Sequence, residues 1–169
     1  GTIQFNTQAV ADGKITLLAR AIDGSENAAS KTAVFSIDNT PPPVPIFTAE
    51  SSELSVTLTV TSGGAASDLS HYNIYTALSE NGSFSLLTSM KAGKYIHSEA
   101  FEENNWYYAT SVDSTGNESN AGTKKSAVPG GDATSPVVTV MTPASEKPLR
   151  GEANLYAAAS DNVAITRIR

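Results

Sequence analysis

Two short acidic turns are the segments of this 169-residue chain best suited to holding a metal ion. One contains Asp113 and Asn117, the other contains Asp23 and Asn27, and each also carries a glutamate. Their side-chain oxygens are hard ligands of the kind that calcium prefers, although calcium takes about six to eight oxygens and neither turn has the EF-hand spacing. Asp and Asn in turns also accept N–H groups of their own turn, and the sequence favours that interpretation. The sequence therefore predicts no cofactor, with calcium as the one candidate.

Two further aspartates precede prolines at positions that divide the chain. Asp38 lies shortly before Pro41, and Asp132 lies shortly before Pro136. If these positions separate consecutive domains of the chain, an ion bound at either joint would restrain both domains at once and so stiffen their arrangement.

The remaining polar residues predict no catalytic site. His71 and His97 are the two histidines, and neither belongs to a nucleophile motif. We expect both on exposed strand positions. Glu99, Glu102 and Glu103 cluster in a predicted surface loop, without the burial or fixed neighbour that glycoside hydrolysis requires of its two carboxyl groups. The chain is predicted not to be an enzyme.

Three adjacent aromatic residues give the chain a candidate for stacking on a sugar ring. Trp106, Tyr107 and Tyr108 are consecutive, so the alternation of a strand must direct at least one of them outward. Trp106 is the candidate stacking residue, and a polysaccharide is the corresponding ligand. Tyr72 and Tyr75 are likewise expected on opposite faces of their strand. Core packing of most of these rings is the simpler interpretation.

The residues between these candidates predict β-strands. Strict alternation at residues 54–61 places four large apolar side chains on one face and hydroxyl groups on the other, as in a half-buried antiparallel strand. Further strand patterns occur at residues 15–21, 72–76, 84–87, 95–97 and 106–112. Residues 153–159 are alanine-rich but also favour a strand, and no apolar stripe of helical period is long enough for a helix. The fold class is predicted to be all-β.

Composition excludes several classes of function. The formal net charge is −6 and no basic cluster is present, so nucleic acid is not an expected partner. No apolar run approaches the roughly 18 residues of a membrane-spanning helix. Cysteine is absent, which excludes a disulfide framework and a cysteine zinc site and is typical of large bacterial surface proteins.

An internal repeat indicates tandem modules. Residues 21–27 are echoed by residues 111–119, and the proline-bearing segment 38–42 is echoed by 132–136. This interval of about ninety residues is the size of a β-sandwich. The three consecutive prolines that begin at Pro41 predict a semi-rigid linker. Residues 129–132 contain two glycines and predict a looser joint.

The middle module, residues 41–129, resembles a bacterial fibronectin type III domain. The resemblance is carried by residues 72–75, by Phe101 six residues before Tyr107, and by the turn at residues 112–119. It implies an antiparallel sandwich in which Tyr107 is the corner tyrosine, with its hydroxyl bonded to upstream backbone. Trp106 and Tyr108 remain alternatives for that inward position.

The flanking segments resemble bacterial Ig-like repeats of secreted and cell-surface proteins. Residues 1–40 look like the C-terminal half of such a sandwich, and residues 130–169 look like an N-terminal half. A half sandwich exposes an apolar face and open strand edges. In the favoured interpretation, further strands of a longer protein complete each half. In the second, the C-terminal half of one molecule completes the N-terminal half of another. In the third, the two halves of one chain pair beside the middle module, which requires both linkers to fold back.

These resemblances imply an all-β chain of tandem antiparallel β-sandwiches, secreted or on the cell surface. The predicted function is that of a non-catalytic structural or adhesion segment, acting as a spacer or stalk. Its expected partners are neighbouring modules or further copies of the same chain. The alternatives are a filament subunit assembled by exchange of half Ig-like domains, and a carbohydrate-binding accessory region of a secreted hydrolase. All three rest on analogy of fold.

Overall fold

The chain folds into antiparallel β-sheets in a computed structural model that describes residues 4–100, 103–142, 148, 150–152, 154 and 156–168. Within those residues the helical structure is a single 3₁₀ turn, Thr7–Ala9. Accordingly, the described part of the chain contains no helix long and apolar enough to cross a membrane. The predicted all-β fold class is confirmed.

Seven strands of the middle module form two sheets that pack face to face. The strands of the first sheet, in order along the chain, are β3 (Ile46–Ser52), β4 (Ser55–Thr61) and β7 (Gly93–His97). The second sheet has the spatial order β6-β5-β8-β9, with β5 at Leu69–Ala77, β6 at Ser85–Met90, β8 at Asn105–Asp113 and β9 at Lys125–Ala127. Every pairing between these strands is antiparallel. The result is a seven-stranded antiparallel β-sandwich.

The core lies between these two sheets, and three of the four apolar residues predicted to share one face of the alternating segment point into it. The prediction is wrong for the fourth, Leu54, which lies in the turn before β4 with a φ of 51° and is 42% exposed. Val56, Leu58 and Val60 on β4 are completely buried, while the hydroxyl side chains between them face the other way. From the opposite sheet Ile74 and Tyr107 complete the same cluster. A shift of β4 by one residue would bury threonines instead, so burial fixes its register.

Within its described residues, each flanking segment contributes an antiparallel hairpin. The N-terminal hairpin pairs β1 (Gly13–Ile22) with β2 (Ala28–Ile37) over their full lengths. The C-terminal hairpin pairs β10 (Val137–Thr142) with β11 (Tyr156–Ser160), which agrees with the strand predicted from the alanine-rich segment. Most of their large apolar side chains are exposed, for example Leu17 at 40% and Val140 at 69%, whereas Ile15 is half-buried and Ile37 is buried.

Candidate functional site

The turn after β8 is built around one buried carboxylate. Asp113 Oδ1 accepts the backbone N–H of Thr115 at 2.9 Å and of Asn117 at 2.8 Å, and Oδ2 accepts the Asn117 side-chain amide at 2.8 Å. Burial by itself raises the pKa of Asp113, but the donors from Asn117 and Thr115 outweigh it and lower the pKa to about 2. The carboxylate is therefore held in its charged form.

The turn after β1 repeats this arrangement in an exposed setting. Asp23 Oδ1 accepts the backbone N–H of Ser25 and of Asn27, both at 2.9 Å, and Oδ2 accepts the Asn27 side-chain amide at 2.9 Å. The residue before each asparagine has a positive φ, 63° at Glu26 and 93° at Gly116. The echo in the sequence is thus a repeat of one hydrogen-bonded turn. Calcium at Asp113, Asn117, Asp23 and Asn27 stays a prediction. The carboxylate oxygens of both aspartates accept N–H groups of their own turns.

Folding brings two other aspartates to the Asp113 turn. One carboxylate oxygen each from Asp38, Asp68 and Asp113 lies within 4.8 Å of the others. Asp38 belongs to the first joint, and Asp68 directly precedes β5. With one oxygen from each residue, the three carboxylates supply three ligands, fewer than the roughly six to eight oxygens that calcium takes. Sequence reasoning missed Asp68, although residues 66–68 are echoed by residues 159–161.

The linker that enters the middle module is bonded to the sandwich. Asp38 accepts two donors from the Asp113 turn: Thr115 Oγ1 at 3.3 Å to its carboxylate, and the Asn117 amide at 3.1 Å to its carbonyl. The Ser111 hydroxyl donates to the carbonyl of Pro43 at 2.7 Å. The first joint is therefore docked along its length, which agrees with the semi-rigid linker that its prolines predict.

The linker that leaves the middle module is also docked, and the looser joint predicted from its glycines is wrong. Gly130 N–H donates to Ser52 O at 2.8 Å, and Leu54 N–H donates to Gly130 O at 2.9 Å, which pairs the linker with the β3–β4 turn. A Cβ on Gly130 would lie 2.9 Å from Ser52 O. Glycine is thus present at this position because the two backbones approach closely, and the pairing removes the freedom that glycine otherwise gives.

The histidines are half-buried, so their expected exposure is wrong. His97 Nδ1 lies 2.9 Å from the hydroxyl of Tyr107, and burial lowers the pKa of His97 although the Glu99 charge raises it. Tyr107 is completely buried, as predicted for the inward position, but this bond joins its hydroxyl to the upstream His97 side chain and not to the upstream backbone that the resemblance implied. Phe101, the other structural residue predicted, and Glu102 lie outside the described residues. His71 Nδ1 lies 3.2 Å from the hydroxyl of the adjacent Ser70, a contact within one strand.

The aromatic residues of the four-stranded sheet pack on one another on its outer face. Tyr75 and Tyr108 stack with centroids 4.8 Å apart and planes at 20°, and Phe84 contacts Tyr108 at 4.8 Å. Because Tyr108 lies between two rings, the three do not present a flat row to a ligand. Trp106 lies on the same face, half-buried and outside this stack. The nearby Glu118 carboxylate accepts the Tyr75 hydroxyl at 2.8 Å.

Comparisons with known proteins give likenesses of fold at low identity. No family model matches the chain, and no curated protein matches it. A beta-1,2-glucanase from Parabacteroides distasonis is 18% identical with a TM-score of 0.44, covering 63% of this chain and 16% of the glucanase. An Fn3-like protein from Clostridium thermocellum is 16% identical with a TM-score of 0.44, covering 57% of this chain and 99% of that protein. Neither likeness assigns a function to the chain.

Proposed function

We propose that the chain is a non-catalytic structural segment, a spacer or stalk in a longer modular protein of the cell surface or the secreted fraction. The supporting observation is that both linkers are bonded to the middle sandwich. The Pro43 carbonyl is held by Ser111, and Gly130 is paired with the β3–β4 turn. Docked linkers restrict the angles between neighbouring modules, and a spacer needs that restriction in order to keep its reach.

Small-angle X-ray scattering of the full 169-residue chain tests this proposal. The matched control replaces residues 129–134 by a Gly-Ser segment of the same length, which removes the Gly130 pairing and leaves both modules unchanged. We expect the native chain to give a narrower distribution of maximum dimensions than the control. Equal distributions for the two proteins would show that the native joint is flexible, and the proposed spacer role would then be wrong.

The exposed apolar faces of the two hairpins favour assembly between chains as the second candidate. On β1–β2 one face carries Ile15, Leu17 and Phe35, whereas Leu18 lies on the opposite face. In the middle module the opening hairpin, β3–β4, packs over the closing strands β8 and β9. The β1–β2 hairpin resembles the closing part of such a sandwich and β10–β11 resembles the opening part. By analogy, β10–β11 of another copy is a candidate cover for β1–β2. Such a head-to-tail contact would propagate into a filament.

Light scattering across a concentration series distinguishes this candidate from the first. Exchange between chains predicts a mass that rises with concentration, a rise that is abolished by Leu17→Glu and kept in the opposite-face control Leu18→Glu. A constant monomer mass, or equal effects of the two variants, would rule exchange out.

The carbohydrate-binding alternative depends on Trp106, because the other aromatic rings on the outer face of the four-stranded sheet cover one another. Polysaccharide pull-down that is lost in Trp106→Ala would favour that alternative.

A further inference from the structure

The two joints have the same short sequence and the same internal hydrogen bond. Residues 38–40 and 132–134 both read Asp-x-Thr, and we name them the Asp-x-Thr linkers. In the first, Thr40 N–H donates to Asp38 Oδ1 at 3.3 Å. In the second, Thr134 N–H donates to Asp132 Oδ1 at 3.0 Å. Each linker therefore forms a small turn that fixes where its remaining donors point.

At the first joint those donors meet a carboxylate of the preceding module. Asp12, just before β1, accepts the backbone N–H of Asn39 at 2.7 Å on Oδ1 and the hydroxyl of Thr40 on Oδ2. The Thr40 hydroxyl and then the Asn39 N–H lower the pKa of Asp12. Hence one side chain of the N-terminal segment holds two consecutive linker residues.

At the second joint a carboxylate from a different kind of loop does the same. Glu53, in the β3–β4 turn, accepts the backbone N–H of Ala133 at 3.2 Å and the Thr134 hydroxyl at 2.6 Å. The Thr134 backbone N–H also donates to Glu53, at 3.0 Å. The Thr134 hydroxyl and then the Ala133 N–H lower the pKa of Glu53 to about 2. Two unrelated loops have thus placed a carboxylate against the same pair of donors.

The aspartate of each linker is bonded to the following module. The Asp38 carbonyl accepts the Asn117 side-chain amide at 3.1 Å, and the Asp132 carboxylate accepts the Asn162 side-chain amide at 3.2 Å. The second joint is closed further, because the Asn162 amide also lies 3.2 Å from Glu53. Each linker is therefore held from both sides, by a carboxylate before it and by side-chain donors after it.

We propose that Asp12 and Glu53 are equivalent positioning residues, each of which captures an Asp-x-Thr linker and so fixes the orientation of the following module. This inference rests on the proposed spacer function, and it names the side chains that make the joints rigid. The recognised group is a turn that presents a backbone N–H and a threonine hydroxyl to one carboxylate. The same pairing is expected wherever an Asp-x-Thr segment joins two such modules.

Limited proteolysis with a protease of broad specificity, with the cleavage sites identified by mass spectrometry, tests each joint separately. We expect Glu53→Ala to increase the cleavage rate within residues 129–136 and to leave residues 38–41 unchanged. Asp12→Ala should show the opposite pattern. Since exposed charged contacts are individually weak, we expect increases of about two- to fivefold. Glu50→Ala is the matched control, because Glu50 is an exposed carboxylate on β3, the strand that leads into the turn carrying Glu53.

Variants of the linker keep the test decisive if Glu53→Ala also weakens the sandwich. Thr134→Val removes the hydroxyl donor without changing the module, and Thr134→Ser restores it. We expect faster cleavage in the first variant and the native rate in the second, with the same thermal transition of Trp106 fluorescence in both. Native rates in Glu53→Ala and Thr134→Val would overturn the inference. If those rates accompany a narrow distribution of dimensions in scattering, the spacer proposal survives, whereas a broad distribution refutes the spacer proposal itself.

Discussion

Gly63 is a position at which the docked linker leaves no space for a side chain. A Cβ built there would lie 1.8 Å from the carbonyl oxygen of Val44 and 2.9 Å from its carbonyl carbon. To reach even 3.0 Å, the Val44 carbonyl must retreat by more than an ångström. Val44 directly precedes Pro45, which is buried and is followed by Ile46, the first residue of β3. A retreat of the Val44 carbonyl therefore disturbs the edge of the core.

We therefore expect Gly63→Ala to destabilise the middle module by the usual cost of overpacking, about 1–3 kcal/mol. For a domain of this size that corresponds to a fall in melting temperature of roughly 5–20 °C. Trp106 is the single tryptophan and belongs to β8, so its fluorescence reports on this module alone. Thermal and urea unfolding followed at this residue measure the effect.

Gly131→Ala is the matched control, since a Cβ at Gly131 meets nothing within 4 Å. We expect it to change the free energy of unfolding by less than about 0.5 kcal/mol. The reasoning is refuted if Gly63→Ala unfolds within that margin of the native protein, or if Gly131→Ala is destabilised to the same extent.

Three further predictions concern the core, the Asp113 turn and the buried tyrosine. Leu58→Ala should lower the free energy of unfolding by about 2–5 kcal/mol in urea, because Leu58 is completely buried, whereas Leu78→Ala, at a side chain 65% exposed, should have little effect. The pKa of Asp113 is about 2 when folded and 3.8 ordinarily. Its stabilising contribution is therefore present above about pH 4 and lost as the pH falls towards 2, so Asp113→Asn should flatten the dependence of unfolding free energy on pH over that interval. An unchanged slope would contradict this. Tyr107→Phe should cost about 1 kcal/mol in the same urea assay by removing the hydroxyl bonded to His97, and a neutral result would show that this bond is replaced without loss.

The sequence by itself determined the structure that depends on near neighbours. Alternating apolar residues fixed the inward face of β4, because side chains two residues apart share a face. The turns around Asp23 and Asp113 were also predictable as turns that satisfy their own aspartate, since their hydrogen bonds join residues at most four positions apart. The three consecutive prolines indicated the first linker, because each proline restricts its own backbone whatever the rest of the chain does.

Tertiary structure alone decided the contacts that join the modules. Glu53 meets a linker about eighty residues away, and Asp68 meets Asp38 and Asp113, because sheet order and strand register place the ends of distant strands together. The glycines of the second joint indicated flexibility in the sequence, yet backbone pairing with Ser52 and Leu54 fixes that segment. Local composition reports the freedom of an isolated chain, whereas the hydrogen bonds that remove this freedom come from residues that only folding brings near.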